Sequence, residues 1–312
     1  MTAQHSWYPD DITPSEQALL RHCTLCPRQC GVNRLAGQKG FCRATGTQVR
    51  IARAGAHLWE EPCISGETGS GTVFFGGCTL GCVYCQNREI SRDCVGKPYS
   101  IPELAQIFLS LQAKGLANLN LVTPTHMALH IAAALRIARA NGLQIPVIYN
   151  TSGYESVATL RQLSGLVDAY LPDFKYWNGE TSARHCHAPN YPEVARAAIA
   201  EMVRQTGDIA FDQNGMLLRG VIVRHLLLPH GVSEAKHILR YLYETYKDRI
   251  YLSIRNQYTP PPELCDPVLG HCVSPSVYDA LIDWAAALGI TNAFIQEGGT
   301  VSESFIPKWE LE

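Results

Sequence analysis

The chain has 312 residues, of which 46% are hydrophobic and 17% charged, which is enough for one large α/β domain, alone or with a small appendage. A formal net charge of −2 excludes a general electrostatic attraction to nucleic acid, so no nucleic-acid partner is expected. No apolar run approaches about 20 residues, so no membrane-spanning helix is expected. Residues 1–11 have no basic start and no apolar core, so no secretory signal is expected. Twelve cysteines are interpreted as metal ligands rather than disulfides, and the expected location is the cytoplasm.

The first predicted unit is a turn-rich and cysteine-rich lobe over residues 1–70. Its four cysteines have the spacing C-x2-C-x3-C-x11-C and lie among proline and glycine residues, as tight turns around an ion require. Four thiolates at this spacing would close a tetrahedral zinc site or hold a second, fully ligated iron–sulfur cluster. The alternative is that some of them are free thiols in a loop-rich lobe. The four residues are Cys23, Cys26, Cys30 and Cys42.

From residue 71 to residue 312, strand-like apolar runs alternate with helical patterns. This alternation predicts βαβ units with parallel strands and right-handed crossovers, and about six such units predict an open or complete (β/α) barrel. Ser100 and Glu103 have the spacing of a capping box, so a helix is predicted to begin after Ser100. The predicted strands are 72–76, 118–122, 146–150, 169–173, 221–228, 250–254 and 292–296, and further helices are predicted over 126–140, 191–206, 233–246 and 276–288.

Three more cysteines lie close together just after the first of these strands. Cys78, Cys82 and Cys85 have the spacing C-x3-C-x2-C. Three thiolates in an eight-residue loop can hold three irons of a [4Fe–4S] cluster and leave the fourth iron open to a substrate or cofactor. Cysteine spacing alone also allows a zinc knuckle or buried structural thiols. Active sites of (β/α) barrels lie at the carboxyl ends of the strands, so this loop is on the expected face.

The loop resembles the signature of the radical S-adenosylmethionine (SAM) superfamily, including an aromatic residue, Tyr84, before the last cysteine. The resemblance implies a partial (β/α)6 TIM-like barrel, here preceded by the N-terminal cysteine-rich lobe. It implies that Cys78, Cys82 and Cys85 hold the cluster, that the open iron binds SAM, and that Tyr84 lies near the adenine. Reductive cleavage of SAM would form a 5′-deoxyadenosyl radical that abstracts hydrogen, with the protein supplying orientation and excluding competing reactions.

Two strand ends resemble those of pyruvate formate-lyase activating enzymes. Asp173 and Lys175 match an Asp-x-Lys motif that lies near SAM in those enzymes. Asp173 could accept hydrogen bonds from ribose hydroxyls and Lys175 could pair with the SAM carboxylate, although a surface salt bridge is the alternative. Asn150 and Thr151 resemble the start of an Asp-Thr-Asn-Gly turn, in which the acidic residue helps to hold a monovalent cation beside SAM. Asn150 replaces that acidic residue here.

The other strand ends match the family less closely. Thr123 and Thr125 stand where many members of the superfamily carry a glycine-rich turn that binds the SAM amino group. His126 is interpreted either as a substrate-facing group or as a residue at a helix N-terminus. His230 follows a strand that resembles the family's Arg-x-x-x-x-Pro strand end, and this makes it a candidate contact for SAM or substrate. Residues 185–187, His-Cys-His, are predicted to form a loop with surface histidines rather than a ligand triplet.

The leading functional hypothesis is a radical SAM oxidoreductase that abstracts hydrogen from a protein or peptide, as the activases of glycyl-radical enzymes do. It would need a reductant such as flavodoxin or ferredoxin. One alternative keeps the radical chemistry and acts on a small metabolite or RNA. The other is a non-catalytic protein that binds an iron–sulfur cluster or zinc and transfers electrons.

Overall fold

The computed structural model describes residues 11–296 of the chain. Short 3-10 turns lie at Arg34–Ala36, Thr125–Met127 and Lys247–Arg249. The strands are β1 (Val49–His57), β2 (Ser70–Phe75), β3 (Lys97–Tyr99), β4 (Leu119–Val122), β5 (Val147–Thr151), β6 (Ala169–Pro172), β7 (Ala210–Phe211), β8 (Leu217–Leu226), β9 (Tyr251–Arg255) and β10 (Ala293–Ile295). The helices are α1 (Pro14–Arg21), α2 (Pro62–Ser65), α3 (Arg88–Arg92), α4 (Ile101–Ala113), α5 (Ala128–Ala140), α6 (Val157–Gln162), α7 (Gly179–Cys186), α8 (Tyr191–Thr206), α9 (Val232–Tyr246) and α10 (Pro275–Ala287).

The strands form one sheet in the order β10-β9-β8-β6-β5-β4-β2-β1-β3, with β7 paired to β8. The run from β2 to β10 is parallel throughout, whereas β1 is antiparallel to both β2 and β3. All residues of β2 and of β6 are buried, as expected for parallel strands that are covered on both faces. Because β3 and β10 stand at opposite ends of this order, the sheet of the described residues does not close, and the predicted partial (β/α) barrel is confirmed.

Local signals set several of these elements. Ser100 is the N-cap of α4: its hydroxyl accepts a hydrogen bond from the Glu103 amide, and the Glu103 carboxylate accepts one from the Ser100 amide. The predicted capping box is therefore confirmed. Helix α8 has the predicted bounds of 191–206. Helix α5 begins later than predicted, because Thr125–Met127 forms a 3-10 turn ahead of it.

The N-terminal part of the chain contains a strand that the sequence analysis did not predict. Strand β1 is rich in alanine, glycine and arginine, which have little intrinsic preference for strands. It is held by antiparallel pairing with β2, from Ile51 opposite Phe75 to His57 opposite Ser70. The predicted lobe boundary at residue 70 falls at the start of β2, so residues on both sides of it belong to the same sheet.

The segment after β1 enters the inside of the barrel. Cys63 and Ile64 of α2 pack with Ile148 of β5 and Ile222 of β8 in one hydrophobic cluster. Strand side chains alternate between faces, so residues two positions farther along β5 and β8 share this inner face above that cluster. None of the helices in residues 11–296 has the length and apolar character needed to span a bilayer.

Candidate functional site

A cleft of about 290 Å³ lies where the carboxyl ends of the parallel strands meet. It is lined by the loop after β2, by the ends of β4, β5, β6, β8 and β9, and by the segment that joins β1 to α2. Polar and charged side chains make up most of its wall. The principal lining residues are Cys78, Cys82, Cys85, Thr123, Asn150, Thr151, Asp173, Lys175, Arg224, Arg255, His57, Trp59 and Glu60.

The loop after β2 contains two glycines with positive φ, a conformation that other residues rarely adopt. Gly77 has a φ of 95°, and a β-carbon there would lie 2.4 Å from the carbonyl oxygen of Cys42. Gly81 has a φ of 73°, and the space beside it is filled by the guanidinium of Arg92. Close packing on both sides of the loop therefore fixes its backbone between β2 and α3.

The three loop cysteines line the cleft together. Burial, reinforced by the neighbouring Cys82 and Cys85, raises the pKa of the Cys78 thiol to about 11. The pKa of Cys82 is raised chiefly by a hydrogen bond with the thiol of Cys186, and that of Cys85 chiefly by burial. Thiols with raised pKa values stay protonated at neutral pH unless a bound metal stabilises the thiolate.

The donor set fits a [4Fe–4S] cluster with one open iron, since three thiols of a single short loop face a cleft with room for a further ligand. In residues 11–296, no three or more His, Cys, Asp or Glu side chains already stand at the spacing that a metal ion needs. Cys82 is turned toward Cys186. We therefore expect cluster binding to draw the Cys82 side chain toward Cys78 and Cys85.

Asp173 and Lys175 form an ion pair on the cleft wall, with 2.6 Å between Lys175 Nζ and Asp173 Oδ2. Burial alone would lower the pKa of Lys175, but the adjacent Asp173 carboxylate outweighs burial and raises it above the ordinary value. The Lys175 side chain, 16% exposed, is thus a partly buried cation on the wall that the loop cysteines also line. Such a cation can bind a carboxylate in the cleft.

A buried network of acids and arginines forms the floor of the cleft. Arg224 donates from Nε to Glu61 at 2.9 Å, and its Nη2 contacts both Glu60 and Glu61. Arg255 lies 3.4 Å from the Glu61 carboxylate, and Asn120 donates to Glu60 at 3.0 Å. Burial would raise the pKa of Glu61, but Arg224 and Arg255 hold it well below its usual range. Glu61 therefore remains ionised.

The comparisons with known proteins agree with this geometry. Residues 72–253, more than half of the chain, match the sequence profile of the Radical SAM superfamily. The chain belongs to the radical SAM superfamily. This membership implies that the protein uses a [4Fe–4S] cluster and SAM as cofactors.

A relative from Methanocaldococcus jannaschii, "Uncharacterized protein MJ0674", is 29% identical over 78% of this radical SAM chain and 67% of its own length. A radical SAM methyltransferase from Sphaerobacter thermophilus shares the fold with a TM-score of 0.50 and 17% identity, over 72% of this chain and 66% of its own. The FeFe-hydrogenase maturase HydG from Carboxydothermus hydrogenoformans shares it with a TM-score of 0.50 and 12% identity, over 73% and 54%. The chain thus spans about half to two thirds of these proteins.

Most of the residues predicted for the cluster and SAM site line the cleft, and three do not: Tyr84, Thr125 and His230. Tyr84 is buried beneath the loop after β2, residues 76–87, which we call the cluster loop. Its hydroxyl accepts a hydrogen bond from Tyr176 at 2.6 Å, and its ring packs against Tyr258. It does not line the cleft itself but stands directly before Cys85, which does, so its expected place near the adenine stays a prediction. The residue before Cys85 points to the core side of the loop, while the cysteines on either side of it reach the cleft.

Thr125 is also directed away from the cleft. Its hydroxyl and that of Thr151 both donate to the buried carboxyl of Glu155. Burial raises the pKa of Glu155 to about 7. Thr125 therefore stabilises the buried Glu155 carboxyl behind β5. The role suggested for Thr125 in binding the SAM amino group is not supported. Thr123, with a φ of 58°, does line the cleft.

His230 is exposed and lies beyond the end of β8, in the turn before α9. Strand β8 ends at Leu226, and it is Leu226 that lines the cleft. The strand is shorter than predicted at this end, and His230 does not line the cleft, so its contact with SAM or substrate stays a prediction without support from the cleft geometry.

Of the two interpretations of His126, the residue at a helix N-terminus is confirmed, because His126 lies in the 3-10 turn that leads into α5. It is fully buried, and its Nε2 bonds to the carbonyl of Gly76 at 2.8 Å, so it braces the start of the cluster loop. The prediction for residues 185–187 needs correction. Residues 185 and 186 are not in a surface loop, because Cys186 is completely buried at the end of α7 next to Cys82.

The sequence analysis assigned no role to the floor of the cleft. Glu60 and Glu61 come from the segment before α2, and Arg224 lies near the end of β8, directly after the buried apolar run 221–223. An arginine within a buried strand must find an ionic partner, because an unpaired buried charge is strongly unfavourable. This signal was available, but it does not name Glu60 and Glu61 as the partners.

The four N-terminal cysteines of the radical SAM protein lie close together. Burial raises the pKa of Cys26 to about 12, and the neighbouring Cys42, Cys23 and Cys30 raise it further. Backbone amides bond to three of the sulfurs, those of Cys26, Cys30 and Cys42, with 3.4 Å from the Phe41 nitrogen to Cys30 Sγ. Amide-to-sulfur hydrogen bonds are common in metal-thiolate sites.

Proposed function

We propose that this protein reductively cleaves SAM at a [4Fe–4S] cluster held by Cys78, Cys82 and Cys85, and that the resulting radical abstracts hydrogen from a protein or peptide. The observation that carries the proposal is the meeting of these three thiols with the Asp173–Lys175 pair in one cleft. The cluster supplies the electron that cleaves the S–C5′ bond of SAM, giving the 5′-deoxyadenosyl radical. The protein binds and orients SAM and excludes water from it.

The residues proposed to hold SAM come from successive strand ends. Lys175 would pair with the SAM carboxylate, because it is a partly buried cation with a raised pKa. Asp173 would accept from the ribose hydroxyls. Asn150 and Thr123 line the same wall and offer amide and hydroxyl groups for the remaining polar atoms of SAM, whereas Thr151 lines it with its hydroxyl already bonded to Glu155.

The size of the cleft favours a substrate that reaches in from outside. Its volume of about 290 Å³ is at the lower limit of the range for small-molecule sites, so SAM alone would occupy much of it. Trp59 lines the cleft and is 60% exposed, and its chain neighbour Leu58 is 56% exposed. Large exposed apolar side chains beside an active site are typical of surfaces that bind a polypeptide. These features support an activase-like substrate, an exposed loop of another protein.

One observation favours the second candidate function, radical modification of a small metabolite. Glu60 and Arg255 both line the cleft, and both are held by the buried ionic network. A fixed carboxylate and a fixed guanidinium at the bottom of a cleft could bind the two ends of a small charged molecule.

The reductant is proposed to approach at a second cavity beside the cluster loop. This cavity, of about 540 Å³, is lined by Cys82 and Cys85 together with three arginines, Arg43, Arg88 and Arg92, and one acid, Asp93. A basic surface next to the cluster ligands suits an acidic electron-transfer protein such as flavodoxin or ferredoxin, because opposite charges steer association.

For the N-terminal cysteines, we propose that Cys23, Cys26, Cys30 and Cys42 form a second metal site within a lobe of residues 1–70. The metal is zinc or a second iron–sulfur cluster. Metal analysis of the wild type and of a Cys30→Ser variant would distinguish these two and would reject the site if neither metal is lost. All twelve cysteines lie in the described residues and are free thiols, which suits a reducing compartment, and we place the protein in the cytoplasm.

The decisive experiment is anaerobic reconstitution with iron and sulfide, reduction, and an assay for 5′-deoxyadenosine. The proposal expects product from the wild type and none from a Cys78→Ala control. Equal yields would reject it. The substrate class is tested separately, by covalent capture of proteins bound to the SAM-loaded enzyme and by comparing 5′-deoxyadenosine yield with candidate peptides and with small metabolites.

A further inference from the structure

The cluster loop is held from behind by one arginine of the N-terminal cysteine lobe. Arg28 donates from Nε to the carbonyl of Thr79 at 2.9 Å and from Nη2 to that of Leu80 at 3.0 Å. The same guanidinium bonds to the carbonyls of Cys186 at 2.9 Å and of His187. Four backbone carbonyls from two distant segments therefore converge on a single side chain.

These contacts orient the amide groups that face Cys78. A trans peptide unit is planar, and its C=O and N–H point in opposite directions. When Arg28 holds the carbonyls of Thr79 and Leu80 on one side of the loop, the amide N–H groups of Leu80 and Gly81 must point to the other side. Both bond to the Cys78 sulfur, with 3.4 Å from the Leu80 nitrogen to Sγ.

The next carbonyl along the loop is held in the same way. Arg92 donates to the carbonyl of Gly81 at 2.7 Å. The guanidinium of Arg28 lies 3.9 Å from the centre of the Phe41 ring, and that of Arg92 lies 5.5 Å from it. Phe41 is the residue before Cys42. Three consecutive loop carbonyls are thus bound by two arginines that share one aromatic ring of the cysteine lobe.

We propose that Arg28 is a positioning residue for the cluster: it fixes the peptide units that direct the amides of Leu80 and Gly81 onto the Cys78 sulfur. Hydrogen bonds to ligand sulfurs stabilise the more negative, reduced state of an iron–sulfur cluster and so raise its reduction potential. The cysteine lobe therefore acts on the reducibility of the cluster through Arg28, without contacting SAM. The inference rests on the proposed cluster at Cys78, Cys82 and Cys85.

The test is a redox titration of the reconstituted cluster followed by electron paramagnetic resonance. We expect Arg28→Ala to shift the potential to more negative values by the equivalent of about tenfold in the one-electron equilibrium constant, or about 59 mV. Arg28→Lys keeps the charge, but a single ammonium group cannot span the four carbonyls, so it should shift in the same direction. Arg21→Ala, which removes a charge from the exposed end of α1, should leave the potential unchanged.

A wild-type potential in Arg28→Lys would mean that only charge matters and would overturn the inference. A second measurement needs no variant: in the wild-type protein the amides of Leu80 and Gly81 should exchange with solvent much more slowly than unbonded loop amides, and exchange at the intrinsic rate would also overturn it. Failure of the proposed function has a different signature. A wild type that binds no four-iron cluster rejects the function, whereas a cluster whose potential ignores Arg28 rejects this inference alone.

Discussion

Lys175 Nζ and Asp173 Oδ2 are 2.6 Å apart, in two residues that follow the same strand and face the same cleft. The pairing keeps a lysine charged in a partly buried position whose desolvation alone would favour the neutral form. It also leaves donors of the ammonium group for a ligand, because an ammonium group has three and Asp173 takes one. The ion pair is therefore suited to bind the carboxylate of SAM.

The first prediction concerns this pair. Lys175→Met should weaken SAM binding by about 10- to 100-fold, since a hydrogen bond to a charged group contributes about 1.5–3 kcal/mol. The measurement is equilibrium binding of SAM to the reconstituted protein. Lys114→Met changes an exposed lysine at the end of α4 and should bind SAM as the wild type does. Equal affinity in the two variants would remove Lys175 from the SAM site.

The second prediction concerns the buried ionic network. Arg224→Ala leaves the Glu60 and Glu61 carboxylates buried without their main partner, and it should lower the free energy of unfolding by about 3–5 kcal/mol. Urea unfolding of the cluster-free protein measures this change. The matched control is Arg249→Ala, which breaks an exposed ion pair with Asp208 and should lower it by less than about 1 kcal/mol. Similar losses in both variants would contradict a structural role for the network.

The buried ionic network also shows which kind of contact cannot be predicted from the sequence. Three features could be predicted because a few neighbouring residues define each of them. They are the cluster loop, the capping box at Ser100 and the Asp173–Lys175 motif. The contact between Arg224 and Glu60 joins positions 164 residues apart. No local pattern encodes which distant partner a buried charge will find, and only the register of β8 against the segment before α2 determines it.

The side-chain directions of Tyr84 and His230 were unpredictable for a related reason. Spacing places both residues near the mouth of the barrel, but spacing does not determine which way a side chain turns. Tyr84 packs into the core against Tyr258, and His230 lies four residues past the point where pairing of β8 with β9 stops. Arg28 shows the opposite problem, a functional residue that the sequence does not indicate. It binds four backbone carbonyls, and every residue has a backbone carbonyl, so no residue pattern predicts this contact.

The third prediction concerns pH. The pKa of Glu155 is raised by burial from 4.5 to about 7 in the folded protein, so the folded state binds this proton more tightly than the unfolded chain does. The resulting stability is fully present below pH 4.5 and is lost as the pH rises through 7. Glu155→Gln removes the titrating group. The free energy of unfolding of the wild type should therefore fall relative to the variant by about 3 kcal/mol between pH 4.5 and pH 8.

Thermal or urea unfolding at several pH values measures this difference. Burial lowers the pKa values of His126 and His130 as well, but both residues are present in wild type and variant, so the difference between the two proteins isolates Glu155. A difference that does not change with pH would show that Glu155 titrates normally.

The last prediction concerns electron delivery. Arg88 is exposed on the basic surface beside Cys82 and Cys85, where its only close ionic contact among the described residues is Glu263 at 3.8 Å. Arg88→Glu should slow reduction by an acidic flavodoxin about tenfold at low ionic strength, and the effect should shrink as salt screens the charges. Reduction by a small photoexcited deazaflavin should be unchanged, because it needs no docking surface. Arg240→Glu makes the same change in charge on α9, away from this surface, and should reduce at the wild-type rate. Equal slowing in both variants would mean that overall charge, rather than docking beside the cluster loop, governs electron transfer.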